Sequence, residues 1–224
     1  MIIGIAGKAQ AGKDTACKII QAIDLWEKMK NKEINMITTC KTEEEFCKEW
    51  AIHCFTDTIF LSQSDWERHI FAGKLKECAA ILLNCSAESF DDIDFKNKTT
   101  SIPLYTREGE LMTNRQFLQY LGTEVGRVID PDLWVKTTLT PYCNGKKWII
   151  PDVRFPNEEK AIHDKGGFVW RIDRDEAGAG NHESEKWVDK LNVNLVLDNN
   201  DTIEEFIKLV IRAYKYTLWN YNKQ

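Results

Sequence analysis

The sequence predicts an α/β protein with a parallel sheet flanked by helices, and three observations predict it. Short apolar runs (MIIGI, KKWII, FVWRIDR, VNLVLDN) alternate with stretches whose apolar residues recur at helical spacing. Strands that alternate with helices are joined by crossovers, which makes them parallel and covers the sheet on both faces. The first run leads directly into GKAQAGKDT, a glycine-rich turn, and then into an amphipathic segment. Strand, glycine loop and helix is the context a phosphate-binding loop needs. Finally, 224 residues suit a single domain, 1–224, with one sizeable core and room for an insertion.

Each element has its own signal. Residues 1–5 read as a strand and 7–12 as a loop. From Asp14 the residues Ala16, Ile19, Ile20, Ile23 and Trp26 mark one helix face. Residues 27–65 are charged and irregular apart from EEEFCKEWAIHCF, and are expected to be a helical insertion. Residues 66–85 read as a second helical region entered through FAGKLK, and 86–112 as loop. MTNRQFLQYLGTEVGRVI is a helix capped by Thr113 or Asn114. A strand ends at Pro151 and Asp152, NEEKAIHDKGG is a helix closed by glycines, and FVWRIDR and VNLVLDN are two further strands. The glycine-rich AGAGN marks a lid region over 171–187. A terminal helix carries the core stripe Ile203, Phe206, Ile207, Val210 and Tyr214.

Composition narrows the function. A net charge of −5 argues against binding a nucleic-acid polymer, though not against one nucleotide in a local basic pocket. The seven cysteines include no CxxC pair, so neither a zinc site nor a disulfide framework is expected. Cys40, Cys47 and Cys54, like Cys78 and Cys85, are seven apart, a spacing that would align each set on one helix face. Apolar runs are too short to span a membrane, and the first residues are too short for a signal peptide. A cytoplasmic location is expected.

The loop is the strongest chemical signal. Gly7, Gly12 and Lys13 have the spacing GxxxxGK, and with Ala11, Asp14 and Thr15 they form the candidate triphosphate site. The glycines let amides converge on phosphate, and the helix adds its positive end. Lys13 would sit on the β and γ phosphates of ATP. Where Ser or Thr usually helps to hold Mg²⁺, this chain has Asp14. Either Asp14 reaches the ion through water or Thr15 supplies the hydroxyl.

GKAQAGKDT, FAGKLKE, NRQFLQYLGTEVGR with DPDLWV, IIPDVRFPNE, and NHESE with LDNNDTIEE follow in this order. Together they resemble the deoxynucleoside monophosphate kinases of tailed bacteriophages, a family of P-loop nucleoside monophosphate kinases. The resemblance runs from residue 1 to about 210 and is weakest over 27–65 and 86–112. It implies a P-loop NTPase-type sheet with a helical acceptor-binding region and a lid. It further implies transfer of the γ-phosphoryl of ATP to a (deoxy)nucleoside monophosphate, with Mg²⁺, in the host cytoplasm if the gene is phage-borne. Threonine two places after the lysine is frequent in that class.

The same resemblance implies that Arg115, Gly122, Thr123 and Trp134 line the monophosphate pocket and that FAGKLK contributes Lys76. Arg115, Gln119 and Gly122 share a helix face by spacing, offering a guanidinium, an amide and room for close approach. A solvated face for Arg115 and plain core packing for Trp134 stand as alternatives. Asp152 and Arg154 follow a strand, at the sheet edge where ligands gather. Asp152 is a candidate for Mg²⁺ through water or for the acceptor, Arg154 for bridging the phosphates, and Glu158 for sugar or base. A structural Asp–Arg pair is the alternative. Arg171 and Arg174 are candidates to neutralise the moving phosphoryl group from the lid, whose His182, Ser184 and Glu185 match the family's H-x-S-E. Two rival functions stand beside this one: a different small-molecule P-loop kinase, and a nucleotide-binding protein without kinase activity. A homodimer is left open.

Overall fold

The computed structural model describes residues 1–52, 62–175 and 187–223. The chain divides into two compact units, one formed by Met1–His69 with Cys143–Gln224 and the other by Ile70–Tyr142.

The first unit is built on a five-stranded sheet whose pairings are all parallel. Its strands are β1 (Ile2–Ala6), β2 (Trp66–Arg68), β3 (Lys147–Val153), β4 (Phe168–Asp173) and β5 (Leu195–Asp198), in the order β2-β3-β1-β4-β5. Side-chain alternation assigns the two faces. Ile3 and Ile5 of β1 and Phe168, Trp170 and Ile172 of β4 share a core with three helices: α1 (Lys13–Lys30), α2 (Glu43–Ile52) and α8 (Ile203–Tyr221). On the other face Gly4, Val153 and Val169 meet Ile162 of α7 (Pro156–Asp164). A Cβ at Gly4 would lie 2.5 Å from Ile162 Cδ1, so α7 can pack this close only against glycine. The expected two-sided parallel α/β sheet is therefore what forms.

α8 buries Phe206, Ile207, Val210 and Tyr214, four of the five residues of the predicted stripe. Two buried indoles find partners on it: Trp66 Nε1 donates to Tyr214 Oη at 3.1 Å and Trp170 Nε1 to Thr217 Oγ1 at 3.1 Å. Burial also pushes the Tyr214 phenol well above its ordinary range. In 27–65, α2 contributes Phe46, Cys47 and Trp50 to the core, with the Phe46 ring 5.5 Å from that of Trp26. Residues 53–61 of that segment, like 176–186 of the expected lid with His182, Ser184 and Glu185, lie outside the described residues.

Two expectations need correction. Residues 66–85 are not helical throughout: Trp66–Arg68 is an edge strand, and the helix α3 starts only at Gly73 and runs to Leu83. A three-residue strand is too short to show alternation, and it forms through its pairing with β3, Arg68 opposite Ile149. Among the described residues the cysteines do not form helical stripes either, and Cys54 lies outside those residues. Cys40 precedes α2 and Cys85 follows α3, while Cys47 is buried and Cys78 exposed.

β3 also runs one residue further than its apolar pattern, through Val153. Gly4 pairs with Ile150 and Ala6 with Val153, so three steps on β3 match two on β1. The extra residue falls at Pro151 and Asp152. Proline has no N–H to give to a central strand, and a bulge is where such a strand tolerates it.

The second unit is helical: α3, a short α4 (Ile93–Asn97), α5 (Asn114–Tyr120) and α6 (Leu133–Leu139), with a 3₁₀ segment at Ala87–Asp91. Ala79, Ala80, Leu83 and Phe90 form its core. Thr113 caps α5 as expected, accepting from Gln116 N at 3.2 Å while the Gln116 side chain accepts from Thr113 N at 2.8 Å. α5 continues through a π turn at Leu121–Gly126, whose widened geometry leaves Gly122 O to accept from Trp134 Nε1 at 2.9 Å.

Candidate functional site

The loop after β1 is shaped by backbone conformations that side chains rarely adopt. Gly7 and Gly12 have φ of 149° and 106°, and Gln10 of 65°. A Cβ at Gly7 would meet Ile172 O at 2.7 Å, and one at Gly12 would meet Asn199 Nδ2 at 2.6 Å. The loop curls around its own lysine, whose Nζ donates to Gly7 O at 2.9 Å and Lys8 O at 2.6 Å. At the far end of the sheet, Asn199 Nδ2 holds the loop by donating to Ala11 O at 2.8 Å. α1 begins on Gly12 with no side-chain cap, so its N-terminus points into the loop without a capping side chain. A glycine-shaped loop, a helix N-terminus without a side-chain cap and an ammonium are together the features of an anion site.

A cavity of about 370 Å³ opens beside this loop, lined among others by Lys13, Asp14, Thr15, Arg174, Asn199 and Phe206. Arg174 is exposed and brings a cation to the cavity wall. A larger cavity of about 590 Å³ lies between residues 36–40 and α2, with Phe46 and Trp50 in its wall. None of the site residues lines it, and the convergence of donors, not volume, selects the smaller one.

The ends of the strands beside β1 carry the other candidates. Asp14 Oδ1 pairs with Arg68 Nη2 at 2.7 Å. The pair is about half exposed and adds little to stability. Asp152 lies near enough to Arg68 and Cys17 to interact with both electrostatically. Glu158 is buried, 4% exposed, and its carboxylate accepts from Arg154 N at 2.7 Å and Phe155 N at 3.1 Å. It therefore fixes the turn that presents Arg154. Arg171 forms a fork with Asp173, Nε to Oδ1 at 2.9 Å and Nη2 to Oδ2 at 3.0 Å, which holds the guanidinium above its ordinary range. Its neutralising charge is half spent within β4.

In the second unit Lys76 Nζ pairs with Asp91 Oδ1 at 2.5 Å, with the lysine side chain mostly buried. Arg115 is exposed and donates from Nε to Asn97 Oδ1 at 3.4 Å. Gln119 O accepts from the Thr123 hydroxyl inside the helix, and a Cβ at Gly122 would lie 2.8 Å from Leu75 Cδ2. Trp134 is buried, 8% exposed, and lies flat on Gly126, where a Cβ would come within 2.7 Å of its Cε2. Its indole N–H is engaged by Gly122 O. Of the two alternatives for Trp134, these contacts are those of core packing.

The structure thus groups Gly7, Ala11, Gly12, Lys13, Asp14, Thr15 and Arg174 at one loop and cavity, and Arg115, Gln119, Gly122, Thr123 and Trp134 along α5 and its π turn. Asn199 and Arg68 escaped the reading of the sequence. Asn199 stood in the quoted LDNN at the end of a strand, a signal that was there to use. Arg68 had none, since its strand was not recognised.

The buried Cys17 thiol is pushed up to about 12 by burial, despite the neighbouring guanidinium of Arg68. A thiol reagent at pH 8 is accordingly expected to label exposed Cys78 and Cys143 within minutes and Cys17 only after unfolding. Mass mapping of the labelled peptides checks this.

Among the described residues no group of three or more His, Cys, Asp or Glu is placed to hold a metal by itself, and no helix is long and apolar enough to cross a membrane.

Comparison with known proteins gives two findings. The family model described as deoxynucleotide monophosphate kinase matches residues 1–210. A protein of Acanthamoeba polyphaga mimivirus, named "Putative deoxynucleotide monophosphate kinase", is 34% identical over 116 residues, covering 44% of this chain and 60% of the relative. The chain thus spans about three-fifths of the length of that relative.

Proposed function

Because the chain belongs to the deoxynucleotide monophosphate kinase family, we propose that it transfers the γ-phosphoryl of ATP to a deoxynucleoside monophosphate, giving ADP and the diphosphate. The observation that carries this reading is the loop at Gly7–Lys13, where the N-terminus of α1, without a side-chain cap, and the Lys13 ammonium converge beside a cavity. Lys13 exchanges its contacts with Gly7 O and Lys8 O for phosphate oxygens, and Arg174 adds a second cation. Phe206 and Ile203 give the same cavity an apolar wall for the donor's nucleoside.

The donor brings its own metal in this reading. The Thr15 hydroxyl and the carboxylates of Asp14 and Asp152 are hard oxygen donors that fit Mg²⁺, and their small number suits an ion that keeps phosphates and waters as its other ligands. Bound Mg²⁺ would neutralise charge on the phosphates. The acceptor is assigned to the second unit, with Arg115 on its phosphate and Lys76, Gln119, Gly122 and Thr123 around it. Trp134 enters as the residue that props the π turn, and Glu158 as the one that orients Arg154 toward phosphate. Arg171 and the 171–187 segment are the proposed lid.

The attacking atom is an anionic phosphate oxygen, so no strong general base is needed. Catalysis reduces to in-line placement and charge neutralisation. The test supplies MgATP with each deoxynucleoside monophosphate in turn and follows ADP. Formation of ADP that depends on one or more of these acceptors supports the reading. Tight ATP binding with no acceptor-dependent ADP would favour a nucleotide-binding protein without kinase activity. Arg115→Ala is expected to raise KM for the acceptor about tenfold or more while leaving ATP affinity unchanged, as loss of a charged phosphate contact should. Unchanged acceptor kinetics would remove Arg115 from the site.

A further inference from the structure

We propose that Arg68 keeps the phosphate-binding loop receptive to an anion by cancelling the charge of Asp14, and so acts as a positioning residue for the donor nucleotide. The inference rests on the donor-binding reading above. Asp14 follows Lys13 directly, stands in the first turn of α1 and lines the cavity beside the loop. A bare carboxylate there would repel the triphosphate that the helix N-terminus is placed to attract. Arg68 Nη2 meets Asp14 Oδ1 at 2.7 Å, and the same guanidinium lies near enough to the Cys17 thiol, three residues further along α1, to interact with it electrostatically. It therefore lies along the first turn of the helix. It also interacts electrostatically with Asp152 at the bulge of β3.

The support for Arg68 is more elaborate than an exposed ion pair requires. β2 has only three residues, too few to hold themselves in place. Side chains of α1 and α8 secure it. Gln21 Nε2 donates to Trp66 O at 3.0 Å, Asp24 Oδ2 accepts from Asp65 N at 2.8 Å, and Tyr214 receives the Trp66 indole. Two of these polar contacts fix the backbone two and three residues before Arg68, and the third fixes the Trp66 side chain. That is how a side chain is held in one geometry for a purpose other than stability.

The experiment measures binding of metal-free ATP, in EDTA, to the full chain by calorimetry without acceptor, alongside the melting temperature, so that the part given to Asp14 in holding Mg²⁺ does not enter. Arg68→Gln is expected to weaken binding about tenfold at low salt, and less at high salt, with little change in melting temperature. Arg68→Lys retains most of the affinity. The double variant Asp14→Asn/Arg68→Gln returns to within about threefold of wild type, because the charge that needed cancelling is gone. Wild-type affinity in Arg68→Gln, or a double variant as weak as Arg68→Gln alone, overturns the inference and leaves the donor reading standing. Failure of the wild type to bind ATP, with or without Mg²⁺, overturns both. Should Arg68→Gln not fold, Asp14→Asn decides alone: it frees Arg68 for phosphate and is expected to bind metal-free ATP more tightly than wild type. Unchanged or weaker binding overturns the proposal.

Discussion

Lys13→Ala is expected to lower kcat/KM by about 10³-fold or more, the scale on which removing one preorganised charge from a transition state is felt. The fold should survive it. Lys13 Nζ donates to the loop carbonyls Gly7 O and Lys8 O, and the lysine borders the cavity, where water can replace the ammonium. The melting temperature of the variant should therefore stay near that of wild type. ATP affinity and turnover are measured separately by calorimetry and coupled ADP detection. A variant that keeps its turnover would deny the loop its assigned part in the reaction. Arg174→Ala is the milder companion: it removes a cation that is exposed and borders the cavity from the end of β4.

Gly126→Ala should cost about 2–4 kcal/mol of stability, a large effect for one methyl group. The added Cβ would come within 2.7 Å of Trp134 Cε2 in a buried contact, and a fused ring cannot move aside as a flexible side chain can. Displacing the ring breaks the bond from Trp134 Nε1 to Gly122 O, which is the partner of a carbonyl in the widened π turn. Urea unfolding measures the loss, and Val128→Ala on the exposed side of the same helical stretch is the control, expected within about 0.5 kcal/mol of wild type. If Gly126→Ala is as stable as that control, the packing described for Trp134 does not hold the turn. A folded fraction of the variant is further expected to use the acceptor poorly, since Gly122 and Thr123 belong to that turn.

These two substitutions differ in how far they were legible. The loop that carries Lys13 was readable because its shape is local. Glycines, lysine and the start of a helix are adjacent in the chain, and their spacing carries the chemistry with no help from elsewhere. Gly126 was not readable, because its constraint is a ring eight residues away brought back by a turn of the chain. The same distinction separates Glu158, expected on sugar or base, from its observed bonds to the amides of Arg154 and Phe155. A carboxylate after a strand reads alike whether it faces a ligand or caps a helix, and only burial tells the two apart.

By itself the sequence determined the alternation of strands and helices, the glycine loop between β1 and α1, the capped start of α5 and the apolar stripe of α8, because each is written in residues within a few turns of one another. Tertiary structure alone decided that Trp66–Arg68 is an edge strand, that Asn199 reaches back 188 residues to Ala11 O, and that Arg68 meets Asp14. The reason is physical. Those features draw their energy from partners that folding brings together, and no periodicity in one segment records what another segment will place beside it.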